Sequence, residues 1–255
     1  MRRSPMALGI VLFAGLLAVG TGYTAVNAAV SPKAQAVHTA EEIALGKKLF
    51  LSNCSSCHGK NAEGTANAPS LIGVGEASVD FQVSTGRMPG AASGPQLEVK
   101  PVQFTEEQTS AMAAYIGSLA DGPSIPDAAY LQANGNPTVG GELFRINCAM
   151  CHNAGGAGGA LTEGKYAPNL MKSSAKTIYE AMVTGPQNMP VFNDANITPE
   201  EKNDIITYLT YLQNNRSVGG EELGNLGPVV EGLLAWLGLL GLLVAITVWL
   251  GAKSN

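Results

Sequence analysis

CSSCH at residues 54–58 and CAMCH at residues 148–152 are one five-residue pattern written twice, and together they use all four cysteines of the chain. C-x-x-C-H is the attachment sequence of a c-type haem. The two thiols add to the porphyrin vinyl groups and the adjacent imidazole ligates the iron. Two residues between the cysteines let one helical turn present both sulfurs to the same edge of the macrocycle. Other uses of four cysteines fit worse. A zinc ribbon would set its knuckles much closer than the 94 residues that separate Cys54 from Cys148. A thioredoxin-type pair needs a βαβ surround, and a disulfide framework has no need of a histidine after the second cysteine on both occasions. The pattern therefore predicts two covalently bound haem c groups, held by Cys54, Cys57, Cys148 and Cys151, with His58 and His152 on the irons.

The sequence around the motifs repeats as well. Gly46, Leu49, Phe50, Asn53 and Cys54 answer to Gly140, Leu143, Phe144, Asn147 and Cys148 at a constant offset of 94. Ala68-Pro69 matches Ala167-Pro168, Met88-Pro89 matches Met189-Pro190, and Thr105 and Tyr115 match Thr198 and Tyr208. Landmarks kept in that order mean two homologous haem domains in tandem. Each reads as mostly helical. Residues 40–53 form an amphipathic helix entering the first motif, and Thr105 and Thr198 are N-caps followed by first-turn glutamates. Behind them, Met112, Tyr115, Ile116 and Leu119, and Ile205, Ile206, Leu209 and Leu212, recur at helical spacing as core. The glycines of GGAGGA at 155–160 let backbone approach the porphyrin closely. A backbone carbonyl near Pro69 and Pro168 can orient each proximal histidine, although the sequence does not say which one.

Ligand counting sharpens the chemistry. Besides His58 and His152 only His38 remains, so at most one iron can be bis-histidine. His38 sits in a polar stretch and is expected to be solvated. Among eight methionines, Met1 and Met6 belong to the N-terminal segment and Met150 lies inside the attachment loop. Met112 has core spacing, and Met171 and Met182 lack counterparts in the first repeat. Met88 and Met189 are left, each restrained to an extended conformation by the following proline. They are the expected sixth ligands. A six-coordinate His/Met iron has no open site, which favours single-electron relay over peroxide chemistry. A di-haem peroxidase would need one vacant or displaceable ligand.

Residues 232–250 are uncharged, lie between Glu231 and Lys253, and reach the roughly 20 residues of a membrane-spanning helix. At the other end, Arg2 and Arg3 precede an apolar run from Met6 to Val26, read as a retained signal-anchor in preference to a signal peptide cleaved near Val26-Asn27-Ala28. Either way Arg2, Arg3 and Lys253 stay cytoplasmic and the haem domains lie outside the cell membrane. The net charge is −5, and the region between the two ends carries −8. Nothing points to nucleic-acid binding, and the acidic surface argues against a lysine-ringed mobile carrier. The expected architecture is all-α: an anchor or signal at 1–36, cytochrome c-type domains at 37–122 and 140–216, linkers at 123–139 and 217–230, and a transmembrane helix at 231–251.

VDFQVSTGRMPG at 79–90, residues 140–170, IYEAMVTGPQNMPVF at 178–192 and GNLGPVVEGLLAW at 224–236 carry a more specific likeness. The chain resembles the di-haem cytochrome c subunit of the actinobacterial cytochrome bcc complex, a menaquinol–cytochrome c reductase. That resemblance implies a subunit replacing both the single-haem cytochrome and the mobile carrier. Its partners would be a cytochrome b subunit that oxidises quinol, a Rieske-type iron–sulfur protein that donates electrons, and a haem-copper terminal oxidase in the same supercomplex. By the same analogy the first haem accepts and the second donates. A di-haem subunit of another membrane dehydrogenase or oxidase is the main alternative.

The repeats differ in one place. Thr105 follows Met88 by 17 positions but Thr198 follows Met189 by 9, so the first domain carries eight extra residues within GAASGPQLEVKPVQF. They form either a tolerated surface loop or a docking surface for a neighbouring subunit or for the second haem domain.

Overall fold

The computed structural model describes residues 9–10, 12–21, 38–91, 94, 96–215, 224 and 228–253. The segment up to Val37 and the chain from His38 onward are separate compact units. In the first, α1 (Leu12–Thr21) is a short apolar helix. The cleavage motif at 26–28 and residues 6–8, 11 and 22–26 of the apolar run lie outside the described residues.

From His38 the chain builds the same helical plan twice. It runs through α2 (Ala40–Asn53), α3 (Ser55–His58), α4 (Glu76–Ser84) and α5 (Glu106–Gly117), then α6 (Pro137–Asn147), α7 (Ala149–His152), α8 (Ala175–Thr184) and α9 (Pro199–Asn214). In each half the first helix packs across the last, α2 on α5 and α6 on α9. Glycine makes the crossing possible. A Cβ on Gly46 would overlap the Ala111 carbonyl, and one on Gly140 would overlap the Asp204 carbonyl. One turn later Phe50 meets Tyr115 with ring centroids 5.5 Å apart, and Phe144 meets Tyr208 at 5.6 Å. Each such pair contributes about 0.5–1.5 kcal/mol beyond its buried area. The expected caps are present: Thr105 and Gln108, and Thr198 and Glu201, form reciprocal capping boxes, the second with Pro199 in the first turn.

Met112, Tyr115, Ile116, Ile205, Ile206 and Leu209 are buried as the spacing predicts. Leu119 and Leu212 are not: α5 ends at Gly117, the helical period stops there and Leu119 is 37% exposed, while Leu212 near the end of α9 is half-buried. The all-α expectation also needs a small amendment. Gly159–Ala160 and Tyr166–Ala167 pair as a two-stranded antiparallel ribbon, two residues per strand being too short to leave an alternating pattern. Within that stretch Gly158 (φ +81°) lies against the Ala167–Asn169 backbone, where a Cβ would overlap it.

His38 departs from expectation too. It is not solvated: its side chain is 12% exposed, with Nδ1 3.0 Å from Glu42 Oε2 and Nε2 3.2 Å from Glu76 Oε1. Glu42 also accepts from Ser110 Oγ at 2.9 Å, so the cluster ties the start of α2 to α4 and α5. Burial alone would lower the His38 pKa, but the two carboxylates outweigh it and the net shift is upward. The stretch read as a linker at 123–139 contains a 3-10 turn, Ala128–Leu131, whose Tyr130 and Leu131 pack on the second core.

The two halves meet where α4 packs on α8. Lys176 Nζ lies 2.7 Å from Asp80 Oδ2 and 4.0 Å from Glu180 Oε1, with both carboxyls buried. Burial, with the charge of Asp80 added, pushes the Glu180 carboxyl up to about 9. At the C-terminus, α10 (Pro228–Leu233), a π-helical stretch (Leu234–Leu240) and α11 (Gly241–Lys253) run on from one another. Its apolar part, Val230–Ala252, spans 23 residues, or about 34 Å at the helical rise, against a hydrocarbon core of about 30 Å. Leu234, Trp236, Leu237 and Val248 are all at least 65% exposed, which suits lipid contact rather than a protein core.

Candidate functional site

Each C-x-x-C-H motif is the turn that ends one helix and starts another. Cys54 donates its backbone N–H to the Phe50 carbonyl at 2.8 Å and accepts from His58 N at 3.0 Å; Cys148 repeats this with Phe144 and His152 at 2.8 and 2.9 Å. The fully buried phenylalanine thus fixes where the attachment turn sits. No disulfide joins any of the four cysteines, and among the described residues no group of three or more His, Cys, Asp or Glu side chains converges as a metal cluster would. Burial pushes the Cys54 and Cys148 thiols up to about 11, each helped by its partner cysteine.

His58 and His152 are buried, and their rings are aimed by equivalent backbone carbonyls. His58 Nδ1–H donates to the Pro69 carbonyl at 2.8 Å and His152 Nδ1–H to the Pro168 carbonyl at 3.0 Å. A carbonyl only accepts, so the proton sits on Nδ1 and Nε2 keeps its lone pair for a metal. Burial lowers the His152 pKa against the smaller opposing effect of the Pro168 bond, which holds the ring in its neutral, ligating form. The carbonyl that the sequence left open is the proline's own in both repeats.

In the second domain a cavity of about 660 Å³ brings Cys148, Cys151, His152 and Met189 together, with Phe192 and Leu209 among its apolar walls. That volume lies within the about 300–1,000 Å³ of ligand and cofactor sites, and its donor set is that of a covalently attached haem. Met182 also lines it, but from within α8, where it is 2% exposed and its repeat counterpart is the buried core residue Val83. Met150 is 93% exposed at the rim.

The two methionine loops are anchored by lysines that motif reasoning passed over. Lys202, fully buried, places Nζ 2.7 Å from Asp194 Oδ1 and also donates to the Ile197 carbonyl, while Phe192 N–H donates to the Met182 carbonyl at 2.7 Å. In the first domain Met88 N–H donates to the Gln82 carbonyl at 2.8 Å and Lys100 Nζ donates to the Pro89 carbonyl. Lys202 left a signal: it heads the stripe 202, 205, 206, 209 that faces the core.

Residues 43–120 match the family described as "Cytochrome c", and residues 135–209 match "Cytochrome C oxidase, cbb3-type, subunit III". A protein of Corynebacterium diphtheriae, "Cytochrome bc1 complex cytochrome c subunit", is 42% identical over 265 residues that cover 94% of each chain. The chain belongs to the family of cytochrome bc1 complex cytochrome c subunits. A Mycobacterium leprae protein of the same description is 46% identical over 82% of this chain and 75% of its own length. The "Cbb3-type cytochrome c oxidase subunit FixP" of Sinorhizobium medicae is 30% identical over 46% of this chain and 40% of its own. As a cytochrome c subunit of this family, the chain is an electron-transfer protein with two cytochrome c domains and covalently bound haem c, anchored to the membrane.

Proposed function

We propose that this subunit carries single electrons within a menaquinol–cytochrome c reductase, from a Rieske-type iron–sulfur protein to a haem-copper terminal oxidase in the same supercomplex. Quinol oxidation belongs to the cytochrome b subunit, so the chain serves the enzyme as its electron-transfer part. The observation that carries the reading is the duplication of one ligand arrangement: a buried histidine bonded to a proline carbonyl, and a Met-Pro loop anchored by a lysine, in both domains.

Bound haem supplies a one-electron couple at each site. The chain's own residues do the rest. Cys54, Cys57, Cys148 and Cys151 would hold the groups, His58 and His152 would supply an imidazole nitrogen to each iron, and Met88 and Met189 would supply a thioether. A thioether ligand would raise the reduction potential and leave no open position for oxygen or peroxide. The division at 37–122 and 140–216 assigns one site to each domain. The span at 231–251, with an N-terminal anchor at 1–36, holds both domains on the extracytoplasmic side of the cell membrane. Menaquinol added to membranes should reduce both haems, and deletion of the iron–sulfur protein should abolish that reduction. Undiminished reduction without the iron–sulfur protein would remove the proposed donor. Carbon monoxide binding to the ferrous chain as isolated would favour the peroxidase reading.

A further inference from the structure

The cavity of the second domain has a wall that the second domain does not make. Phe81, Thr85, Arg87, Gln96 and Val99, all from the first domain, line it together with the residues around His152 and Met189. Gln96 and Val99 belong to the stretch 90–104 after Met88, within which the first domain carries its eight extra residues. Their placement is held by bonds across the two domains. The Gln96 side chain donates to the Tyr166 carbonyl at 2.9 Å and accepts from Tyr166 N–H at 2.8 Å. Gln187 Oε1, two residues before Met189, accepts from Leu97 N–H at 3.2 Å. The loop is therefore tied both to the ribbon and to the methionine loop, each of which lines the cavity.

Charge in this cavity is one-sided. Among the described residues no Asp or Glu lines it, whereas Arg87, Lys165 and Lys172 do. Lys165 is paired with Glu163 at 3.0 Å and Lys172 is exposed. Arg87 is half-buried, stacks over Phe81 at 4.8 Å, and makes no ion pair with a protein carboxylate among the described residues. A desolvated guanidinium without an acid is costly, and its planar fork matches a carboxylate. Haem brings two propionate carboxylates. The chain direction adds a constraint: Arg87 faces the second cavity while the next residue, Met88, is the ligand proposed for the first haem.

We propose that Arg87, supplied by the first domain, pairs with a carboxylate of the second domain's haem, so that the first domain completes the second redox site. The extra loop then serves to hold that wall in place. A positive charge on the propionate side favours the reduced iron, so Arg87 raises the second haem's potential. This rests on the ligand assignment of Met88 and Met189 proposed above.

The test is a redox titration of the full haem-loaded chain in detergent, with covalent haem counted by intact mass. It is run in a Met189→His background, where the bis-histidine second haem should titrate below the first. Adding Arg87→Gln should shift the lower wave down by about tenfold in its equilibrium constant, which is about 59 mV for one electron, and leave the upper wave in place. Arg87→Lys should shift the same wave down by less, and it carries the test should Arg87→Gln fail to load haem. Lys172→Gln should shift it least. The proposal is overturned by an unmoved lower wave, by movement of the upper wave alone, or by a Lys172→Gln shift as large as that of Arg87→Gln. A Met189→His substitution that lowers neither wave overturns the methionine assignment instead, and the proposal falls with it.

Discussion

Replacing Glu180 by glutamine should flatten the pH dependence of stability, because this carboxyl is buried against Asp80 where the two haem domains meet. Its pKa rises from 4.5 to about 9, through burial first and the Asp80 charge second, against the weaker opposing pull of Lys176. Between those values the folded chain binds a proton that the unfolded chain has released. Stability is therefore complete below the unfolded pKa and falls as pH rises towards 9, by at most about 1.4 kcal/mol per pH unit. From pH 6 to pH 8 that amounts to about 2.7 kcal/mol, or about 5–10 °C in Tm for a folded unit of this size. Glu180→Gln keeps the shape, cannot ionise, and should match the parent near pH 6 while exceeding it at pH 8. Thermal unfolding of the haem-loaded chain at the two pH values reads the difference between the slopes. Parallel slopes for parent and variant would refute the reasoning, since Glu180 would then be ionised in the folded state.

Three further outcomes follow from the geometry. Met189→Leu should open the sixth position of the second haem and let its ferrous form bind carbon monoxide, whereas Met182→Leu should not; equal binding by both variants would undo the assignment, and absorption spectra decide. Gly140→Ala puts a methyl group into the Asp204 carbonyl, and the overpacking should cost about 1–3 kcal/mol in denaturant unfolding, as should Gly46→Ala in the first domain. His38→Gln should remove a stabilisation that is full below pH 6.5 and fades as pH rises through the raised folded pKa, so parent and variant unfolding curves should converge at alkaline pH.

What the sequence disclosed was the part of the structure written in local residue patterns. The attachment turns and the capping threonines depend on neighbours within one or two helical turns, whereas Gly46, Phe50 and Tyr115 and their counterparts were visible only as repeated landmarks, because their contacts join helices 64–65 residues apart. Pro69 and Pro168 were visible as landmarks, but the use of their carbonyls depends on backbone direction, which side-chain identity does not encode. The burial of His38 is not legible locally, because one of its two partners, Glu76, lies 38 residues away. Its contact with Glu42, four residues on, was the readable half. The cluster of Asp80, Lys176 and Glu180 and the wall formed by Arg87 and Gln96 join segments roughly 70 to 100 residues apart. The packing of α4 on α8 joins the first three, and the loop after Met88 carries Gln96 to Tyr166. The excess of eight residues within 90–104 was legible as length, and the bonds of Gln96 and Leu97 to Tyr166 and Gln187 needed the fold.

In the function proposed above both irons are six-coordinate with histidine and methionine, and so relay electrons without reacting with oxygen. Near-infrared magnetic circular dichroism of the oxidised full chain, normalised to two haems by intact mass, tests it most directly. The account predicts two low-spin ferric haems per chain, each with a sulfur-to-iron charge-transfer band, and loss of one band in each of the Met88 and Met189 variants. A high-spin haem in the parent chain, or a sulfur band that survives both substitutions, would contradict it.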